Sequence, residues 1–151
     1  MTARKYEDLV EGEVVESQAI TVTEAHVVHF AGLTGDFHPV HMDDGYAKQT
    51  PFGGRIAHGA LVLSLAVALA GMACPLESIA FLGVSWRFVK PVAIGDTIRV
   101  RSTLLKKRLT SRGDRGIVHH RLEVLNQLGE VVQEGETHIM VVVGSGFKIS
   151  P

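Results

Sequence analysis

Two short clusters in this chain hold residue types that can do chemistry together. The first is Gly35-Asp36-Phe37-His38-Pro39-Val40-His41, with Asp43 just after it. The second is Ile56-Ala57-His58-Gly59-Ala60-Leu61. In the first, Asp36 and His41 flank a bend imposed by Pro39. A loop can aim both side chains at one point, which a strand cannot do at odd spacing. A carboxylate and an imidazole that share a water form an acid–base pair near neutral pH. The competing reading is structural: Asp36 caps the following turn and His41 is a surface or core histidine. In the second cluster, Gly59 stands at the expected N-terminus of an apolar helix. Its amide has no intrahelical partner, and the helix end carries partial positive charge. That is a place to hold a developing oxyanion, and glycine lets a substrate carbonyl approach the backbone. The competing reading is a glycine required by tight packing. His38, His41 and His58 with Asp36 are also metal-ligand types, but D-x-H-x-x-H lacks the scaffold of a pattern such as H-E-x-x-H, and no metal is expected.

The elements that must position these clusters follow from periodicity. Residues 13–22 alternate as a short strand. Thr23 is an N-cap for a helix over about 24–33, with Val27, Phe30 and Ala31 at helical spacing. Pro39 pushes His38 out of the helical region, and residues 43–47 form a turn or short helix. The run from Gly59 to Gly71 is apolar all round, so other structure must wrap it; it is also too short to span a bilayer. The period then changes. FLGVSWRFV, DTIRVRSTLLKKRL, GIVHHRLEVLNQ and EVVQEGETHIMVVV read as strands, with hairpin turns at Arg112-Gly113-Asp114 and Leu128-Gly129-Glu130. The expected architecture is α+β: one buried helix with a curved antiparallel sheet wrapped around it.

The chain has 151 residues, 46% of them hydrophobic, which suits a single domain over 1–151. Its 15 basic and 16 acidic residues leave a formal charge of -1, which points to neither a nucleic-acid nor a membrane surface. The local basic group Lys106, Lys107, Arg108, Arg112 and Arg115 reads as a solvated hairpin, the alternative being contact with the phosphates of a nucleotide-bearing substrate. The charged start MTARKYEDLVEGE has no apolar core of a secretory signal. The lone Cys74 cannot form an internal disulfide, follows an apolar stretch with no obvious cationic partner, and suits a reducing cytoplasm. His26 and His29 on the first helix, and His119, His120 and His138 in strands, read as packing or exposed-face residues.

On these motifs the chain resembles the MaoC-like dehydratases and R-specific enoyl-CoA hydratases, which have the hot-dog fold. The family's G-D, N-P, aliphatic, H and acid pattern is met by Gly35-Asp36, Pro39-Val40-His41 and Asp43, with Tyr46-Ala47 after it. Ile56-Ala57-His58-Gly59 with Leu61, Arg87-Phe88-Val89-Lys90-Pro91, and Gly129-Glu130 also match, so the resemblance runs from about residue 7 to 143. It implies that Asp36 and His41 are catalytic, activating water for C3 and returning a proton to C2. It implies that the Gly59 amide binds the thioester oxygen, with His58 and Leu61 at the substrate and His38 and Pro39 supporting the loop. The family's Asn is His38 here. A helix serine near the dyad in some relatives would be Ser64, whose register is not fixed by sequence. The resemblance further implies an acyl-CoA or acyl-carrier-protein substrate, no cofactor, and a homodimer. A hot-dog thioesterase and a non-catalytic acyl-CoA-binding module are the alternatives. Substrate length is expected to depend on how Leu61, Val62, Leu65, Phe81 and Trp86 pack.

Overall fold

The computed structural model describes residues 3–144. A 3₁₀ turn at Tyr6–Asp8 precedes β1 (Val14–Glu16) and β2 (Ile20–Thr21). Next come α1 (Glu24–Thr34), α2 (Pro39–Met42), α3 (Asp44–Ala47) and α4 (Gly59–Ala73). The chain then lays down β3 (Ser78–Phe88), β4 (Thr97–Leu109), β5 (Arg115–Leu125) and β6 (Val131–Val142). The pairings are antiparallel in the order β1-β4-β5-β6-β3, with β2 also on β4.

Local chemistry explains these bounds. Thr23 caps α1: its hydroxyl accepts from the His26 amide, and His26 Nδ1 accepts from the Thr23 amide at 3.0 Å. Both expected hairpin turns form, with left-handed glycines at Gly113 (φ 71) and Gly129 (φ 78). The single strand expected over 13–22 is instead two short strands. They break at Ser17, whose amide donates to Val100 O at 2.8 Å while its hydroxyl accepts from Val100 N at 2.9 Å, taking a rung of the ladder.

Alternation along β4 and β5 turns Ile98, Val100, Leu122 and Val124 inward, where they meet Leu61, Val62, Ala66 and Leu69 of α4. The wrapping is incomplete. Met72 is 67% exposed, so its apolar circumference exceeds what one chain covers. The basic cluster lies on the β4–β5 hairpin as expected, with Lys107 Nζ donating to Tyr6 O at 2.9 Å. In the β5–β6 register Arg115 pairs with Val142 while Gln133, beside Gly59, pairs with Val124. That places the hairpin about 30 Å along the sheet from Gly59, given about 3.4 Å per residue. Within one chain this is too far for a shared nucleotide. Cys74 does have a cationic neighbour, contrary to the sequence expectation: Arg4 Nη1 is 3.5 Å from its sulfur, brought by a segment 70 residues away.

The core depends on the α4–sheet contact. Leu69→Ala is expected to cost about 2–5 kcal/mol in chemical denaturation. Leu33→Ala, at a residue 85% exposed, should change stability by less than about 0.5 kcal/mol. Equal losses would mean that α4 does not anchor the core.

Candidate active site

The first cluster is shaped by a helix stop and a helix start. α1 ends at Gly35, whose left-handed φ of 79° turns the chain while its amide still bonds Ala31 O at 2.8 Å. The Asp36 carboxylate accepts from His38 N at 3.3 Å. Pro39 is the first residue of α2, where its missing N–H costs nothing. His38 caps that turn, its Nδ1 accepting from Val40 N at 3.2 Å. An imidazole lone pair thus does what an asparagine oxygen would do there. His41 therefore stands on a helical turn rather than on an open loop.

The two clusters are tied to each other reciprocally. His41 Nδ1 lies 2.7 Å from Ile56 O, and His58 Nε2 lies 2.9 Å from Asp36 O. A carbonyl only accepts, so each of these nitrogens carries a proton, and in the neutral His41 ring the lone pair lies on Nε2. The two rings are tilted by 30° with centroids 3.9 Å apart, and the Phe30 ring lies 5.1 Å from that of His58. A carboxylate oxygen of Asp36 and a nitrogen of each ring lie within 4.8 Å of one another. Among the described residues this trio has the spacing a cation needs. Burial pushes the His41 pKa below the ordinary imidazole value. The Ile56 carbonyl and Asp36 oppose that shift, and His58 and His38 add to it. His58 Nδ1 is buried without a partner among the described residues.

Gly59 is the first residue of α4, and the side chain of its N-cap, His58, makes no capping bond, so the first-turn amides are open. A Cβ here would lie 2.8 Å from the Phe88 ring, so Gly59 also meets the packing demand read from sequence. The carbonyl of Gly59 accepts from Gln133 Nε2 at 3.1 Å, and Gln133 Oε1 accepts from Trp86 Nε1 at 2.9 Å. The Trp86 ring lies over Gly135, where a Cβ would overlap both the indole and the Ser85 carbonyl. A cavity of about 540 Å³ opens here, lined by His41, Ile56, Gly59, Phe88, Pro91 and Gln133.

The structure thus gathers Asp36, His41, His58 and Gly59, with His38 and Pro39 shaping the loop. It does not place Leu61 at the mouth: Leu61 is 6% exposed and packs in the core, because it faces the sheet. His58 is buried and braces the backbone carbonyl of Asp36. Ser64 is exposed, its hydroxyl spent on Ala60 O at 2.8 Å. Gln133 and Gly135 were missed by sequence reading; the usable signal was an amide and a glycine at alternate, inward positions of a strand.

A sequence profile described as the MaoC like domain matches residues 6–124. An (R)-specific enoyl-CoA hydratase of Rhodospirillum rubrum is 35% identical over 141 residues, 90% of each chain. Among solved structures, a MaoC-like dehydratase from Rhodospirillum rubrum is similar with a TM-score of 0.86 and 30% identity, over 94% of this chain and 99% of the other. A Mycobacterium tuberculosis protein with a double hot-dog fold matches in fold, with a TM-score of 0.85 and 20% identity, over 98% of this chain and 47% of that one. With the profile over most of its length and the same helix-in-sheet architecture, the chain belongs to the MaoC-like family and has its hot-dog fold.

Proposed function

We propose that the protein is a hydro-lyase that adds water across, or removes it from, the 2,3 bond of an acyl-CoA, as an R-specific enoyl-CoA hydratase or 3-hydroxyacyl-CoA dehydratase. The observation that carries this reading is the convergence of a carboxylate, a neutral imidazole and an open helix N-terminus around one mouth. The similar hydratase from Rhodospirillum rubrum supports it.

In the hydration direction a water lies between Asp36 and His41. His41 Nε2, holding a lone pair because Nδ1–H is tied to Ile56 O, takes a proton from it. The water oxygen bonds to C3, and the C2–C3 π electrons move into the thioester as an enolate. The Gly59 amide, at the positive end of α4, holds the enolate oxygen. Asp36 stabilises the imidazolium that has formed. The proton then passes from His41 Nε2 to C2, the enolate collapses, and one water has been added. Since one dyad delivers both groups, addition is syn. Gln133 and Trp86 act on Gly59 as positioning residues.

We further read the chain as one domain over 1–151 that works as a homodimer. β3 is an edge strand, and Ile79, Phe81, Leu82 and Val84 along it are 40–49% exposed. An eleven-residue apolar edge is an aggregation hazard unless it is paired. No helix among the described residues is long and apolar enough to cross a membrane. The unpaired Cys74 suits a reducing cytoplasm.

With trans-2-enoyl-CoAs followed by loss of the conjugated thioester absorbance, Asp36→Asn should lower kcat by about 100- to 10,000-fold with little change in KM. Full activity in that variant removes the dyad. The base form of His41 is required, and burial lowers its pKa. The kcat/KM profile should therefore be flat through neutrality and fall on the acid side with a midpoint below about 6.5. An acid limb centred above that value contradicts a neutral His41. Sedimentation at micromolar concentration should return the dimer mass; a stable monomer would refute pairing through β3.

A further inference from the structure

A second cavity, of about 450 Å³, lies under the far end of α4, with Val67, Ala70 and Gly71 on the helix side and Phe81, Leu122 and Ile139 on the sheet side. This apolar lining is interrupted by Ser102, His120 and Thr137, which are 6%, 7% and 2% exposed. They sit on three adjacent strands. His120 is opposite Thr137, and Ser102 is opposite Leu122, two residues along from His120. All three point to the concave side, the side of the core. None has a hydrogen-bond partner among the described residues. Among the described residues the side-chain atom both sealed from solvent and unpaired is His58 Nδ1, outside this cavity, so the polar atoms of these three open onto the cavity. Two hydroxyls and an imidazole grouped in an otherwise apolar lining are therefore free to hydrogen-bond a ligand that enters.

The polarity is of one kind. Burial holds the His120 pKa down to about 4, with His119 adding to the shift and Glu13 opposing it, so the ring is uncharged at neutral pH. Glu13 is held by two bonds from Arg4, both 2.9 Å, and that guanidinium also touches Cys74 on the cavity wall. Among the described residues a carboxylate entering the cavity would meet no free cation, whereas a hydroxyl or carbonyl would meet both donors and acceptors.

The cavity is also aligned with the active site. Gly59, Leu63, Val67 and Ala70 follow at helical three- and four-residue steps and form one stripe along α4, with Cys74 at its C-cap four residues further on. The mouth is at its start and the cavity at its end, about 16 Å apart from Gly59 to Ala70 at 1.5 Å per residue. On the sheet side, Gln133 and Thr137 on β6 mark the same two ends. A chain whose thioester is held at Gly59 and laid along this stripe reaches the polar group.

We propose that the second cavity takes the distal part of a medium-length acyl chain, and that Ser102, His120 and Thr137 recognise an uncharged polar substituent on it, a hydroxyl or a carbonyl. The anchored end of that chain rests on the acyl-thioester reading above. The test compares trans-2-dodecenoyl-CoA with its ω-hydroxy and ω-carboxy analogues. The ω-hydroxy chain should exceed the unsubstituted one by about tenfold in kcat/KM, the worth of one net hydrogen bond, and the ω-carboxy chain should fall below both. In Thr137→Val, and separately in Ser102→Ala, the hydroxy-to-methyl ratio should fall toward one. An unchanged ratio in both variants, or no hydroxy preference in the wild type, overturns the inference. An NMR titration with n-octanol and with octanoate tests the cavity without turnover. n-Octanol should shift the His120 ring and Thr137 signals, and octanoate should not. If no enoyl-CoA is hydrated but n-octanol still shifts those signals, the hydratase reading fails and the cavity stands. Hydration without any octanol response sinks the cavity alone.

Discussion

The reciprocal tie between two histidines and two carbonyls is the interaction on which the site depends. His41 binds the carbonyl of Ile56, and His58 binds the carbonyl of Asp36, so each cluster fixes the other. Each bond is worth about 1 kcal/mol in net stability, a small share of a domain's total. Its larger effect is to set protonation. With Nδ1–H of His41 committed to a carbonyl, the nitrogen left for chemistry is Nε2, and burial keeps it unprotonated at neutral pH. A backbone bond from Ile56 N to Val40 O, 3.3 Å, adds a third stitch between the same segments.

The sheet serves this tie from the other side. Because β6 alternates, Gln133, Gly135 and Thr137 all face inward, and each does something different. Gln133 grips the Gly59 carbonyl, Gly135 makes room for the Trp86 ring that holds Gln133, and Thr137 faces the second cavity. One strand thus sets both the start of α4 and the polarity at its far end. The uncovered flank of α4 and the apolar edge of β3 are the parts of the molecule that one chain leaves unfinished.

What could be read from sequence divides along physical lines. The α1 cap at Thr23, the two glycine hairpins and the apolar run of α4 were legible because each depends on neighbours a few residues away. The break at Ser17 was not, because it is made by Val100, far along the chain. The same holds for Arg4 beside Cys74. In the site, Asp36, His41 and Gly59 were legible as candidates, but Leu61 was placed at the substrate when it faces the core, since an all-apolar helix does not reveal which side meets the sheet. His58 was readable as a site residue but not as a brace on Asp36, because that role lies in a tertiary bond to a backbone oxygen.

In the proposed mechanism one dyad handles both the water and the proton on one face of the substrate. The most direct measurement is hydration of a trans-2-enoyl-CoA in D₂O, with the relative configuration at C2 and C3 of the product read by NMR. The account predicts a single deuterium at C2, syn to the new C3 hydroxyl. Anti addition would contradict it, because the proton would then have come from a group on the opposite face from Asp36 and His41.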